Sequence, residues 1–117
     1  MLVEAQQQLV DEAMGWISHL RTYIGDINEM KNKLYTWAAH TSDRDALIQI
    51  ERYHNQFHIQ LINLHDIKHS IRLYMNECKL HADADHSAKH EDLEEQYKFL
   101  INDLDHLKNN FTAFISN

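Results

Sequence analysis

The chain runs to 117 residues, 44% of them hydrophobic and 25% charged. That is the composition of one globular domain, here 1–117, and it is too apolar for a disordered tail. Eighteen acidic residues against eleven Lys and Arg leave a net charge of −7, a field that repels phosphate backbones and argues against a nucleic-acid partner.

The absence of proline and the presence of only two glycines exclude turn-rich β folds, and nucleotide-binding α/β folds that need a glycine-rich loop. No run of about 18 apolar residues occurs, so no membrane-spanning helix is expected. The first residues, MLVEAQQQLV, lack the basic and apolar regions of a secretory signal. The single cysteine, Cys78, excludes an intrachain disulfide and fits a reducing compartment, so the expected location is cytoplasmic.

In the first segment Ala13, Leu20, Ile27 and Leu34 recur every seven residues, with Trp16, Tyr23, Met30 and Trp37 three positions on. Leu2, Leu9 and a further row of Val3, Val10, Ile17 and Ile24 widen this into the apolar stripe of a core-facing helix, predicted over about 2–38. Gly15 and Gly25 fall off the stripe and weaken the helix by about 1 kcal/mol each without ending it. His40-Thr41-Ser42 breaks the pattern, and Ser42 with Asp45 reads as a capping box. A second helix, predicted over about 43–80, has Ile50, Phe57, Leu64, Ile71 and Cys78 as one row and Ala46, Tyr53, Ile67 and Tyr74 as the other. Leu47, Leu61 and Met75 complete that face. After an apolar-poor stretch, Asp83 or Asp85 can cap a third helix, predicted over about 85–116. Its rows are Leu93, Leu100, Leu107 and Phe114, and Tyr97, Leu104 and Phe111. Short connections make sequential helices antiparallel neighbours, so the expected fold is all-α, an up-down-up three-helix bundle forming a coiled-coil rod.

In length, in its three heptad helices and in a tryptophan on the inward face of the first, the chain resembles a spectrin repeat, which implies the same rod architecture. The stretch Gln49-Ile-Glu-Arg-Tyr-His-Asn-Gln-Phe-His-Ile-Gln is similar to an uncharacterised family of small bacterial helical proteins, which implies no activity.

Four apolar residues do not fit the seam. Ile48, Ile59, Ile62 and Leu73 cluster roughly 150–200° from its centre on the second helix. A monomeric rod leaves them in water, so they are the expected interface of a self-associating chain, most simply a homodimer pairing helix 2 with helix 2. The function expected on this basis is a non-enzymatic interaction or structural module with a protein partner still to be identified.

The ten histidines supply two further candidates. His54, His58, His65 and His69 form a rail along one side of the second helix. Cys78, His81, His86 and His90 meet at the turn between helices 2 and 3, and thiolate plus imidazole suits zinc or another transition metal. The one H-x-x-x-E spacing, His90 and Glu94, follows the H-x-x-x-H pairs of the second helix and does not precede them, so the pattern of hemerythrin-like proteins is not met. Separately, Leu64-His65-Asp66-Ile67-Lys68-His69-Ser70 resembles the core motif of histidine phosphotransfer domains. That resemblance implies His65 as phosphoacceptor and Lys68 as its helper, with His69 standing where the family has glycine. Ser18 beside His19, and Cys78 near His81, lack a third orienting group, so no catalytic residue is expected.

Overall fold

The computed structural model describes the backbone of residues 2–116. Met1, Asn117 and the side chains of Leu2, Val3 and Ala5 lie outside the described residues, and with them the expected seam placement of Leu2 and Val3. Three helices follow one another: α1 (Leu2–Ala38), α2 (Arg44–Leu80) and α3 (Ser87–Ser116). They build a rod of 62 × 18 × 16 Å, the three-helix architecture read from the heptads.

The heptad rows become the core. Ala13, Leu20, Leu34, Phe57, Leu64, Ile71 and Cys78 are fully buried, with Ile27, Leu93 and Phe111 nearly so. Burial of such side chains contributes about 1.5–3 kcal/mol each and is the main force joining helices that would be marginal alone. One end of the rod is closed by aromatic packing, with Phe57 edge-on to Phe111 at 5.1 Å and Trp37 against Phe114 at 4.9 Å. Gly15 and Gly25 face open space and α1 runs through both without interruption.

Polar rungs fix the direction of each helix. His90 meets Glu12, Tyr97 meets His19, Asp105 meets Tyr23 and Lys108 meets Asp26. Partners in these rungs are 78 or 82 residues apart all along the rod, so α1 and α3 run parallel. Gln60 pairs with Asp103 and Tyr74 with His90, so α3 numbers fall as α2 numbers rise and the two helices are antiparallel.

Three details differ from the sequence reading. The cap of α2 is Asp43, not Ser42: its carboxylate accepts from the Ala46 N–H at 3.3 Å, and its own N–H donates to Thr41 Oγ1. A carboxylate at this end also meets the positive pole of the helix dipole. At α3, Asp85 accepts from both the N–H and the hydroxyl of Ser87, which holds its carboxyl below the usual range; the helix proper starts two residues later than expected. Leu47, expected on the core face, is 46% exposed near the start of α2.

The missed core position is Gln60. It fills the gap in the Tyr53, Ile67, Tyr74 row, buried, with Nε2 donating to Asp103 at 2.7 Å and Oε1 accepting from Asn63. Both ends of the amide are thereby satisfied, and among the described residues no buried side-chain nitrogen or oxygen lacks a partner.

Burial, together with the hydrogen bond to Asp105 and its charge, pushes the Tyr23 phenol well above its ordinary value, and burial does the same for Tyr97. A raised folded-state value adds stability below the unfolded phenol's pKa of about 10, and that stability is lost as pH rises through the folded value. Stability by urea denaturation is therefore expected to decline above pH about 10, with a shallower decline in Tyr23→Phe. An alkaline slope identical in both proteins would contradict this.

Candidate functional site

Helical geometry divides α2 into two lines. Positions 50, 57, 64, 71 and 78 with 53, 60, 67 and 74 face the bundle. The opposite line, also stepping by three and four, holds Asp45, Ile48, Arg52, Asn55, Ile59, Ile62, Asp66, His69, Leu73, Asn76 and Leu80, and every one of these residues is exposed. Ile48 is 49% exposed, Ile59 55%, Ile62 48%, Leu73 54% and Leu80 75%.

Among the described residues the other helices have no such face. Among the described residues of α1 the line through Gly15, Ser18, Thr22, Gly25, Glu29 and Asn32 has no large apolar side chain, and exposed Met14 and Tyr35 stand beside it 21 residues apart. On α3, Phe99, 74% exposed, stands alone among Asp92, Glu95, Asn102, His106 and Asn109. Single exposed apolar residues are ordinary on a protein surface, whereas five among the eleven positions of one helix line are not. The positions of this line step by three and four as those of a coiled-coil seam do, with apolar side chains at five of the eleven.

At the other candidate site the four residues expected to share a metal do not come together. Cys78 is fully buried in the core. His86 donates its Nε2–H to the backbone carbonyl of His81 at 2.7 Å, and the His81 ring lies in solvent beside Glu77. Tyr74 stands among three of them, its ring 5.5 Å from that of His90 and 6.4 Å from that of His86, with the Cys78 thiol beside it, so the tyrosine takes the place a shared ion would need.

Only His90 of the four lies in a ligand-like cluster, and with different neighbours. Among the described residues, the one group of three or more His, Cys, Asp or Glu donors within 4.8 Å of one another is Glu12, His90 and Glu94. His90 is buried, with its ring 4.7 Å from that of Trp16. Its Nε2 is 2.7 Å from the Glu12 carboxylate and its Nδ1 is 2.7 Å from the Tyr74 hydroxyl. A carboxylate only accepts, so the ring donates Nε2–H to Glu12; when neutral, its Nδ1 accepts a hydrogen bond from the Tyr74 hydroxyl. Burial first, then the Cys78 thiol beside it, pushes the Tyr74 phenol well up, which keeps it a protonated donor. Glu94 also pairs with Lys98 at 3.5 Å, one turn along α3.

The histidine rail of α2 lies in solvent, its members all exposed, and His54 pairs with the Tyr35 hydroxyl of α1 at 3.0 Å. His65 is exposed on this side. Lys68 is half-buried, and burial lowers its amine from the ordinary range, helped by the charges of Arg72 and Arg21.

Among the described residues no helix is long and apolar enough to cross a membrane. No protein family, no curated protein and no solved structure matches this chain. The likeness to a spectrin repeat is thus one of architecture, three long helices in a rod, and the likeness of residues 49–60 to a bacterial family has no matching family behind it.

Proposed function

We propose that the chain is a non-enzymatic helical interaction module that self-associates, most simply as a homodimer, through the outward face of α2. The observation that carries this reading is the line of Ile48, Ile59, Ile62 and Leu73, half-exposed on a helix whose opposite face is already packed. The single buried cysteine supports a reducing, cytoplasmic setting, and the charge of −7 argues against nucleic acid as the partner. Sedimentation equilibrium tests it: the expected mass is twice the chain's 13.9 kDa, and 13.9 kDa at every concentration would overturn it.

A second reading, favoured by the Glu12–His90–Glu94 cluster, is binding of zinc or a similar transition metal. One imidazole and two carboxylates are a ligand set for such ions, with positions left open to water. The Tyr74 hydroxyl suits this role because it can also accept: with the proton on Nδ1 donated to Tyr74, Nε2 presents its lone pair to a metal. Titration of metal-free protein with Zn²⁺ by calorimetry is expected to show one site. Glu94→Gln should weaken it by at least about tenfold, while His81→Ala leaves it unchanged. Equal binding by Glu94→Gln would remove this reading.

A further inference from the structure

From the pattern of α2 we infer that two copies pair antiparallel along their outward seams, about a two-fold axis midway between Gln60 and Leu61. This inference rests on the self-association reading and adds to it the orientation and register of the partner.

The ten outward positions from Asp45 to Asn76 carry the same apolar and polar pattern in both directions. With the axis between Gln60 and Leu61, Ile48 comes level with the partner's Leu73, and Ile59 with the partner's Ile62. By symmetry each contact occurs twice, so all four half-exposed apolar residues on each chain are covered by apolar residues of the other. Within these ten positions no polar side chain faces an apolar one; Leu80 lies beyond them, level with a residue ahead of the partner's α2. Spacing of three and four along both lines lets the side chains interleave as in a coiled coil.

Charge then decides between the two directions. A parallel, in-register pair also sets isoleucine against isoleucine, but it places Arg52 against the partner's Arg52 and Asp66 against the partner's Asp66, with Asp45 likewise opposed to its own copy. Like charges directly across a seam are destabilising. In the antiparallel pair Asp66 meets the partner's Asn55, whose amide donates to a carboxylate, and Asp45 meets the partner's Asn76 in the same way. Arg52 is level with the partner's His69, which in its neutral form accepts a hydrogen bond, and is one helical turn from the partner's Asp66. Among the described residues the outer lines of α1 and α3 have no comparable two-way apolar pattern, which singles out this face of α2 for pairing with a copy of itself.

Disulfide trapping tests the register. Asn55 and Asp66 are exposed and lie on opposite sides of the axis, level with each other across the dimer. Each is about 16 Å along the helix from its own copy, beyond the reach of a disulfide. Full-length Asn55→Cys and Asp66→Cys proteins, mixed and then oxidised, are expected to give the mixed disulfide in about tenfold excess over either homodisulfide, identified by mass spectrometry. The native protein is the control, because its Cys78 is buried. Circular dichroism of each variant verifies the fold, and should either unfold, Arg52→Cys with His69→Cys, the neighbouring exposed pair level across the axis, tests the same register. A dimer in which homodisulfides dominate overturns the antiparallel register and leaves self-association standing. A chain that is monomeric by sedimentation and traps neither species overturns both.

Discussion

Phe57→Ala is expected to lower the unfolding free energy by about 3–5 kcal/mol, a large share of the roughly 5–15 kcal/mol that holds a domain folded. The side chain is fully buried where α2 crosses α3, with its ring 5.1 Å from Phe111 and 6.1 Å from Tyr53. Truncation removes the transfer free energy of the ring and leaves a cavity between long helices that relax only in part. Urea denaturation followed by helicity measures it. Ile59→Ala, two residues along on the outward face and 55% exposed, is the matched comparison and should change monomer stability by less than about 1 kcal/mol. Similar losses from the two substitutions would mean that α2 does not separate a core face from a free one.

Ile62→Glu acts on the other face and is expected to convert the proposed dimer to monomer while the core melts as before. Ile62 is 48% exposed, so each copy still has about 1 kcal/mol of burial to gain on association. Because Ile62 lies beside the inferred two-fold axis, one substitution removes that gain twice and sets two carboxylates into the centre of the seam, each facing the partner's Ile59. Loss of apolar contact and desolvation of charge add, so the dimer dissociation constant should rise by at least about 100-fold. Light scattering reads the mass and thermal denaturation monitored by helicity reads the core. A dimer mass retained by Ile62→Glu would place the interface elsewhere.

Much of the fold was legible because heptad rows are a local property. Ala13 to Leu34, Phe57 to Cys78 and Leu93 to Phe111 mark which side of each helix turns inward, whatever it packs against. Leu47 defeats that rule because it sits in the first turn of α2, where the bundle no longer covers it. Gln60 defeats it in the other direction: a polar residue in an apolar row reads as a break, and only the carboxylate of Asp103 from α3 makes its burial affordable.

The candidate sites divide in the same way. The outward line of Ile48, Ile59, Ile62 and Leu73 belongs to one helix, so its geometry follows from residue spacing alone, and the structure adds that nothing in the bundle covers it. The cluster at His90 was half visible. Its pair with Glu94 on α3 is a spacing of four in the sequence, but Glu12 lies 78 residues away on α1.

By itself, then, the sequence determined the helices, their inward faces and the unpaired line on α2, since each is set by side-chain order along a single helix with 3.6 residues per turn. Only the tertiary structure decided that Glu12 joins His90 and that His86 turns to the His81 carbonyl instead. Those outcomes depend on the relative register of α1, α2 and α3, and register is set by the simultaneous packing of the whole core, which no single helix encodes.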